Sequence, residues 1–86
     1  MTIVFHKNFK KQYKKLTKGE KQRFCFRLAV FESNPFNIIL NNHPLRGKFD
    51  GYRSINIAGD LRAIYKLVDR EEYVFVAIDT HDHLYK

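Results

Sequence analysis

The sequence predicts an α+β fold in which a short N-terminal strand and an α-helical hairpin precede a three-stranded antiparallel meander. Two observations predict it: apolar residues recur at helical spacing through the first third of the chain, and strand-like runs joined by short polar links occupy the last 35 residues. The 86 residues, of which 44% are hydrophobic, suffice for one packed core. We therefore expect a single domain that spans residues 1–86.

The first third predicts one strand and two helices. Residues 2–5, TIVF, are the β-branched and aromatic type that favours a strand. Thr17 and Glu20 have the spacing of a capping box, which predicts that the second helix begins near Lys18. Pro35 ends this helix, because proline disfavours helical geometry in the residue before it. The apolar stripes are Phe9, Tyr13 and Leu16 in the first helix and Phe24, Leu28 and Phe31 in the second, widened by Cys25, Phe26, Ala29 and Val30.

The second half predicts three strands after an irregular segment, residues 35–51, that is punctuated by Asn, Pro and Gly. The strands are expected at Tyr52–Ile57, Leu61–Val68 and Tyr73–Asp79. Links of three and four residues separate them, and links this short join antiparallel neighbours rather than parallel ones. The last six residues, HDHLYK, are expected to form a polar tail.

Alternation along the middle strand divides its side chains between two faces. Leu61, Ala63, Tyr65 and Leu67 share one face, and Arg62, Ile64, Lys66 and Val68 share the other. One sheet face is expected to pack on the helical hairpin, and the other to be concave and partly open. Because the start of the middle strand meets the end of the third in an antiparallel pair, Arg62 is expected near His81.

Positive charge is concentrated in the first third of the chain. The net charge is +7 and the pI is near 9.7. Residues 1–33 contain nine Lys or Arg and two acidic residues, whereas residues 34–86 contain seven of each. A basic patch of this size attracts nucleic acid. The alternative interpretation is a solvated helix face that keeps a small protein soluble.

The remaining composition predicts neither a metal nor a cofactor. Cys25 is the single cysteine, which excludes an intramolecular disulfide, and no Cys/His spacing indicates structural zinc. The N-terminal residues lack the apolar run of a signal peptide, and no segment approaches transmembrane length. We therefore expect a cytoplasmic protein that does not contact a membrane.

Residue types suited to metal-independent RNA cleavage occur together in the second half. Cleavage requires that the 2′-hydroxyl lose a proton, that the 5′-oxygen gain one, and that charge on the phosphorane be balanced. Histidine suits the proton transfers, arginine suits the charge, and an aromatic ring can stack on a base. The candidates are His43, Lys48, Arg62, His81, His83 and Tyr85.

Each candidate also has a structural interpretation. An isolated histidine is commonly a surface side chain. Arg62 could form an ion pair with Asp60 or Asp79, and Tyr85 could be a packing residue near the end of the chain. Two histidines at i, i+2 are too few to define a metal site. The residue types alone therefore leave ribonuclease as one of several functions.

Three segments within residues 43–85 form a recognisable series. They are His43-Pro44-Leu45-Arg46-Gly47, then Gly51-Tyr52-Arg53 with Asp60-Leu61-Arg62-Ala63-Ile64-Tyr65-Lys66, and finally Thr80-His81 with Leu84-Tyr85. In this order they resemble the H-P-L-x-G, G-Y-R…D-x-R-x-I-Y and T-H-x-x-L-[FY] patterns of the RelE/YafQ-type mRNA interferase toxins of bacterial toxin–antitoxin systems. The resemblance implies a compact RelE-like domain, ribosome-dependent cleavage of mRNA, and inhibition by a small antitoxin.

The resemblance also implies roles for five residues. His43 corresponds to a loop histidine that the YafQ branch uses in catalysis, and Asp60 to an acidic residue of the same site. Arg62 corresponds to the strand arginine at the scissile phosphate. His81 corresponds to the proton-transferring histidine near the C-terminus, and Tyr85 to the aromatic residue that stacks on or orients the nucleotide. Which histidine is the acid and which is the base stays open.

Two positions depart from the pattern. Asn56 stands where YafQ-like members often have a histidine, and Leu61 stands where some have a tryptophan. The expected RNA contacts come from basic side chains in two places, the loop before the sheet and the first helix. They are Lys48, Arg46, Lys10, Lys11, Lys14 and Lys15, of which the helix lysines are expected to dock on ribosomal RNA.

Two other functions remain compatible with the sequence. ParE-like toxins share the implied fold and bind DNA gyrase without cutting RNA, although gyrase binding would not need Arg62, His81 or Tyr85. A non-catalytic RNA-binding module would bind RNA in a salt-sensitive manner and release no cleavage product. The expected partners of the favoured function are a cognate antitoxin, the ribosome and mRNA.

Overall fold

The computed structural model describes residues 1–85, which form five strands and three helices. In chain order the elements are β1 (Thr2–Phe5), α1 (Lys7–Lys14), α2 (Lys18–Ser33), β2 (His43–Pro44), β3 (Arg53–Ala58), β4 (Leu61–Leu67), β5 (Glu72–Thr80) and α3 (His81–Leu84), with single 3-10 turns at Ile38–Leu40 and Gly47–Phe49. The strands form one sheet in the order β1-β5-β4-β3-β2. The predicted α+β fold is confirmed.

The antiparallel meander is β3, β4 and β5, as predicted, and the sheet extends beyond it on both sides. β1 pairs in parallel with β5 at one edge, and the two-residue β2 pairs with β3 at the other. The sequence did not predict β2. The prediction of a polar tail is wrong for residues 81–84, which form α3 because the Thr80 hydroxyl accepts a hydrogen bond from the His83 N–H at 3.3 Å and caps the turn.

Side chains cap both long helices at their first turn. The Glu20 N–H donates to the Thr17 hydroxyl at 3.1 Å, and the Thr17 N–H donates to the Glu20 carboxylate at 2.8 Å. This is the predicted capping box, which satisfies two otherwise unpaired backbone donors. His6 caps α1, because its Nδ1 accepts from the Asn8 N–H at 3.1 Å.

The apolar stripes of the hairpin pack as predicted, with one correction. Phe9, Phe24 and Phe31 are buried, and Tyr13, Leu16 and Leu28 pack against them. The expected widening of the second stripe is wrong for three residues: Phe26 is 58% exposed, and Cys25 and Ala29 are exposed as well. Phe26 lies two residues from Phe24, which places it about 200° around the helix and away from the sheet.

The main core lies between the hairpin and one face of the sheet. Its buried members are Phe9, Phe24, Phe31, Leu40, Ile55, Ile57, Leu61, Ala63, Tyr65, Phe75 and Ile78. The Phe31 ring centroid lies 5.0 Å from that of Tyr65 and 5.4 Å from that of Phe75, both near perpendicular. Leu61, Ala63 and Tyr65 share this face, as their alternation predicted.

The second sheet face is partly covered. Ile64 and Ala77 project from it and pack with Leu45 and Leu84, and Phe49, Tyr52 and Val76 lie around this smaller cluster. The loop before β3 and the helix α3 therefore shield the middle of the face that was expected to be partly open. Arg62 lies two residues before Ile64 and therefore projects from the same face. It lies outside the cluster that covers the middle of this face.

Side chains of helix α1 form hydrogen bonds with the backbone of β5 beyond the end of β1. β1 pairs with β5 only as far as Phe75, so the next backbone groups of β5 have no partner strand. The Asn8 side-chain amide donates to the Val76 carbonyl at 3.0 Å, and the Gln12 side-chain carbonyl accepts from the Ile78 N–H at 3.0 Å. These two bonds hold α1 beside the C-terminal end of β5, where the candidate site lies.

Arg53, in the G-Y-R segment, has a structural role. Its Nε donates to the Asn42 side-chain carbonyl at 2.7 Å, and its guanidinium lies over the Phe36 ring at 5.1 Å. The Asn42 amide donates in turn to the Tyr65 hydroxyl at 2.7 Å and to the Pro35 carbonyl at 2.9 Å. This network anchors the loop that leads into β2.

Candidate functional site

The start of β4 meets the end of β5, as the hairpin topology predicted. Leu61 pairs with Thr80, and Arg62 pairs with Asp79. The first residue of α3, His81, donates its N–H to the Asp60 carbonyl at 2.9 Å. Three predicted site residues, Asp60, Arg62 and His81, are therefore brought together at one end of the sheet.

Tyr85 completes this group through α3. One helical turn separates it from His81, and the two ring centroids lie 4.7 Å apart at an angle of 45°. The Tyr85 ring also meets the Phe49 ring edge-on, with centroids 5.9 Å apart. Tyr85 is 37% exposed, and His81 is exposed, so both rings remain accessible to a ligand.

Burial and the nearby Arg62 have opposite effects on the pKa of Tyr85. Partial burial raises the pKa of the phenol, and the positive charge of Arg62 offsets part of that increase. The offset indicates that the Arg62 guanidinium acts on the Tyr85 hydroxyl electrostatically. The site thus combines a cation, an imidazole and an aromatic ring.

Arg62 does not form an ion pair with Asp60 or with Asp79, the two alternatives that the sequence left open. Its Nη1 donates to the carbonyls of Gly59 at 2.7 Å and Leu61 at 3.2 Å. Within residues 1–85, both ion pairs join a histidine to an aspartate, and Arg62 belongs to neither. Its charge is therefore not neutralised by a carboxylate and can attract an anion.

Asn56 lies beside Arg62 in the adjacent strand and faces the same side of the sheet. Its Oδ1 is buried and accepts no hydrogen bond from the described residues. A buried acceptor without a partner is costly. Asn56 therefore places a polar group that is unpaired within the described residues next to Arg62, at the position where the YafQ pattern often has a histidine.

Asp60 contributes to the geometry through its backbone. Its carbonyl accepts from His81, whereas its carboxylate is exposed in the β3–β4 turn and makes no hydrogen bond within the described chain. The turn needs Gly59, whose φ of +51° lies in the left-handed region that other residues rarely adopt. The expected catalytic role of the Asp60 carboxylate stays a prediction.

His43 lies apart from His81. It belongs to β2 and pairs with Ser54, and its Nδ1 lies 2.8 Å from the Asn41 carbonyl oxygen. β3 and β4 separate it from β5, so that three strand spacings of roughly 5 Å lie between them. In the part of the chain that the structure describes, neither a hydrogen bond nor a ring contact joins the two histidines.

The two basic residues of the loop before β3 are exposed. The Lys48 Nζ lies 5.2 Å from the centroid of the Phe49 ring, which also contacts the Tyr85 ring. Lys48 is thus close to the candidate site, and its contact with RNA stays a prediction. Arg46 precedes the 3-10 turn and points to solvent.

The helix lysines are all exposed, but they fall into two groups. Lys11 and Lys15 line a cleft of about 480 Å³ between α1 and the end of β5, together with Gln12, Asp79, Thr80 and His83. We call it the α1 cleft. Lys10 and Lys14 instead border an apolar groove between α1 and α2. The basic third of the chain therefore reaches the end of β5, next to the candidate site from which the sequence pattern had separated it.

His83, a candidate from the sequence to which the resemblance gave no role, forms a pair with Asp79. The His83 Nδ1 lies 3.1 Å from the Asp79 Oδ1, which also accepts from the Thr80 N–H at 2.8 Å. A carboxylate bound to one ring nitrogen fixes the orientation of an imidazole. The i, i+4 spacing was visible in the sequence, but only a helical turn after β5 brings the two side chains together.

Comparison with known proteins identifies the family. The family model described as the bacterial toxin of the type II toxin–antitoxin system, YafQ, matches residues 1–86. The chain belongs to the YafQ family of bacterial toxins. The RelE/YafQ-type resemblance of the three segments is therefore confirmed, and the YafQ match extends over the strand and hairpin before them.

Individual relatives agree with this family. The mRNA interferase toxin YafQ of Escherichia coli K12 is 29% identical over 66 residues, which cover 77% of this chain and 72% of that protein. The crystal structure of YafQ from E. coli strain BL21(DE3) is 24% identical, with a TM-score of 0.83 over 98% of this chain and 97% of that one. A structure of the E. coli DinJ–YafQ complex matches with 25% identity and a TM-score of 0.71, again over 98% and 97%.

Two further properties concern residues 1–85. None of the helices in this range is both long and apolar enough to span a bilayer. The range also contains no group of three or more His, Cys, Asp or Glu side chains arranged to hold a metal ion.

Proposed function

We propose that this YafQ-family toxin is an endoribonuclease that cuts mRNA on the ribosome and thereby stops translation. One observation carries the proposal: Arg62, His81 and Tyr85 meet at one end of the sheet, with the arginine unpaired by any carboxylate of the described chain. The mRNA interferase activity named for the E. coli relative agrees with this chemistry.

The reaction is a transfer of the phosphoryl group within the RNA. The 2′-oxygen attacks the adjacent phosphorus while its proton passes to a base, and the bond to the 5′-oxygen breaks as that oxygen receives a proton. The products are a 2′,3′-cyclic phosphate and a 5′-hydroxyl. No redox step occurs, and both protons can be carried by imidazole at neutral pH.

The three residues divide the work of this reaction. Arg62 binds the phosphate oxygens and balances the charge that develops on the phosphorane. His81 exchanges a proton with the 2′-oxygen or the 5′-oxygen. Tyr85 stacks on a base and holds the nucleotide in line for attack. Lys48 adds positive charge beside Phe49.

His43 and Asp60 have supporting roles in the proposal. His43 shares the sheet face of Arg62, so mRNA that crosses this face can reach both side chains. His43 is then the second candidate for proton transfer, and this role requires its ring to reach the phosphate bound by Arg62, because the 2′- and 5′-oxygens are bonded to the same phosphorus. The Asp60 backbone fixes the start of α3, and its carboxylate is available to orient an imidazole when substrate is bound.

The ribosome supplies what the site lacks. An exposed group of three catalytic side chains does little to align a flexible RNA, whereas the ribosome presents mRNA in a fixed geometry. Alignment alone removes several kcal/mol from a barrier. Arg46 and the α1 lysines Lys10, Lys11, Lys14 and Lys15 contact RNA in this complex and make docking salt-dependent.

The partner and location follow from the same proposal. The E. coli YafQ structure in complex with DinJ supports a cognate antitoxin for this chain. An antitoxin segment with acidic residues would be attracted to a chain whose net charge is +7. Activity on translating ribosomes implies a cytoplasmic location.

The test is cleavage of mRNA in a purified bacterial translation system. The parent chain is expected to cut ribosome-bound mRNA and leave a 2′,3′-cyclic phosphate, and to leave the same mRNA intact without ribosomes. Arg62→Ala is expected to lower the cleavage rate about 10²- to 10³-fold, the usual loss on removing an oxyanion partner. His81→Ala is expected to lower it by about 10²-fold or more.

Arg70→Ala is the matched control, because Arg70 is an exposed arginine in the link between β4 and β5, at the opposite end of both strands. Its rate is expected to equal that of the parent. Intact mRNA with the parent chain would refute the nuclease proposal. Arrest of replication instead would favour the gyrase function, and salt-sensitive RNA binding without any product would favour an RNA-binding module.

A further inference from the structure

His81 and His83 face opposite sides of the same helical turn. Two residues along a helix correspond to a rotation of about 200°. His81 meets Tyr85, on the side of Arg62, whereas His83 meets Asp79 and lines the α1 cleft. His83 therefore presents its ring to the α1 cleft rather than to Tyr85.

The α1 cleft has the features of a site for an anion. Lys11 and Lys15 project into it from one helical turn and the next, and His83 faces them from α3. The Asp79 Oδ1 lies 3.1 Å from the His83 Nδ1 and accepts from the Thr80 N–H at 2.8 Å, which holds the His83 ring beside the cleft. Two ammonium groups and one imidazole thus line a space of about 480 Å³.

The acidic side chains of the cleft are already engaged. Glu20 also lines it, but its carboxylate accepts from the Thr17 N–H in the capping box of α2. The Asp79 Oδ1 is bound to His83 and to backbone. Within residues 1–85, neither carboxylate forms an ion pair with Lys11 or Lys15, so both lysines keep their charge for a ligand.

A neighbouring cleft of about 450 Å³ shares Asn8, Gln12 and His83 with the α1 cleft. Phe49 and Tyr52 line it, so aromatic rings and cations lie on the two sides of His83. Aromatic faces beside a line of cations are typical of surfaces that bind single-stranded nucleic acid.

From this arrangement we propose that the α1 cleft is a second RNA subsite. Lys11, Lys15 and His83 bind a backbone phosphate of the mRNA next to the cut, and Asp79 positions the His83 ring. The RNA then runs around α3, with the scissile phosphate at His81 and a neighbouring phosphate at His83. This inference rests on the proposed function for the identity of the RNA and adds a site that holds it.

The first experiment measures binding of a fluorescently labelled short oligouridylate to the full chain, in the His81→Ala background so that the RNA stays intact. His83→Gln is expected to weaken binding about tenfold, as for removal of a charge-assisted hydrogen bond. Lys11→Ala/Lys15→Ala is expected to weaken it at least as much. The slope of log affinity against log salt should fall by about 0.7 for each phosphate that the variant no longer neutralises.

The control removes the same charge from another place on the hairpin. Lys18 and Arg23 are exposed on α2 and outside both clefts. Lys18→Ala/Arg23→Ala is expected to change affinity by no more than about twofold. If it weakens binding as much as the cleft pair does, binding follows net charge and the subsite is refuted. Circular dichroism verifies that each variant is folded.

The second experiment measures steady-state cleavage of ribosome-bound mRNA with His81 intact. His83→Gln is expected to raise KM about tenfold while kcat stays within about twofold. A lower kcat at unchanged KM would overturn the subsite in favour of a direct catalytic role. Asp79→Asn is expected to raise KM in the parent but not in the His83→Gln variant, which separates positioning from a purely structural effect.

The two proposals can fail separately. If the parent does not cleave but the oligouridylate still binds through Lys11, Lys15 and His83, the nuclease function is refuted and the subsite stands. If the parent cleaves and neither cleft variant changes affinity or KM, the subsite is refuted and the nuclease function stands.

Discussion

The two faces of the sheet differ in what they are built from. On the hairpin face, three rings, those of Phe31, Tyr65 and Phe75, lie with centroids 5.0 to 5.4 Å apart, and all three are at most 2% exposed. The opposite face is packed by four smaller aliphatic residues and carries Arg62 near its edge. Most of the buried apolar area, and hence most of the hydrophobic stabilisation, belongs to the hairpin face.

This difference shows how a small domain separates folding from function. An arginine without a carboxylate partner among residues 1–85 and exposed aromatic rings do little for stability. The chain can carry them because the other face supplies the core. Substitutions on the two faces should therefore have different consequences for stability and for activity.

The largest effect is expected from Phe31→Ala on the hairpin face. Phe31 is completely buried, and replacing a buried phenylalanine by alanine costs about 3–5 kcal/mol. Denaturant unfolding should show this loss of stability. At a temperature where the variant is still folded, its cleavage rate per folded molecule should match that of the parent; a much lower rate would show that the faces are not independent.

A smaller effect, on activity alone, is expected from Tyr85→Ala on the opposite face. Stacking of one base on an aromatic ring contributes about 1–3 kcal/mol, so the cleavage efficiency should fall by about tenfold or more. Tyr85 is 37% exposed, and unfolding should change little. Tyr85→Phe keeps the ring and should keep the efficiency; an equal loss with phenylalanine would assign the role to the hydroxyl.

High pH should lower the free energy of unfolding because the buried Tyr65, on the hairpin face, loses its proton. Burial raises the pKa of this phenol, and the hydrogen bond from Asn42 opposes the increase only in part. A phenol whose pKa is raised by folding keeps its proton in the native state after the unfolded chain has lost it. Stability is therefore complete below about pH 10 and falls as the pH rises further.

Tyr65→Phe separates this titration from packing. At neutral pH it should cost about 1 kcal/mol, because the Asn42 amide loses an acceptor. Above about pH 10 its stability should fall less steeply than that of the parent. Urea unfolding at several pH values measures both effects, and parallel curves for the two proteins would contradict the role assigned to Tyr65.

The smallest effect is expected at the capping box. Thr17→Ala removes the acceptor for the Glu20 N–H and should cost about 1 kcal/mol. Since Thr17 lies on the hairpin and outside the site, cleavage by the folded protein should not change. Thr17→Ser retains the hydroxyl and is expected to restore most of the stability.

Local patterns predicted the hairpin and the meander well, because helical spacing, capping and short links depend only on residues that are close together in the sequence. The approach of Arg62 to His81 was also predictable, since antiparallel pairing determines which strand ends meet. The place of β1 was not, because its partner in β5 lies about 70 residues away and no local signal selects it. Its parallel pairing depends on the packing of the whole hairpin.

The candidate site was predicted only in part for a similar reason. Residues 81–84 have the polar composition of a tail, although Thr80 and His83 have the spacing of a helix cap. Without α3, neither the contact of His81 with Tyr85 nor that of His83 with Asp79 could be predicted. The placement of the loop over Ile64 and Ala77 depends on the packing of Phe49 and Leu45, which no periodicity indicates.

The bonds from Asn8 and Gln12 to β5 have a consequence for self-association. β5 is the longest strand, with nine residues, and an uncovered strand of that length is a template for pairing with other chains. β1 covers its first part, and two side-chain amides of α1 occupy the groups that follow. The outer edge offered at β1 is only four residues long. Aggregation through the strand edge of β5 therefore requires α1 to detach first, so variants that loosen α1 should lose solubility before they lose the sheet.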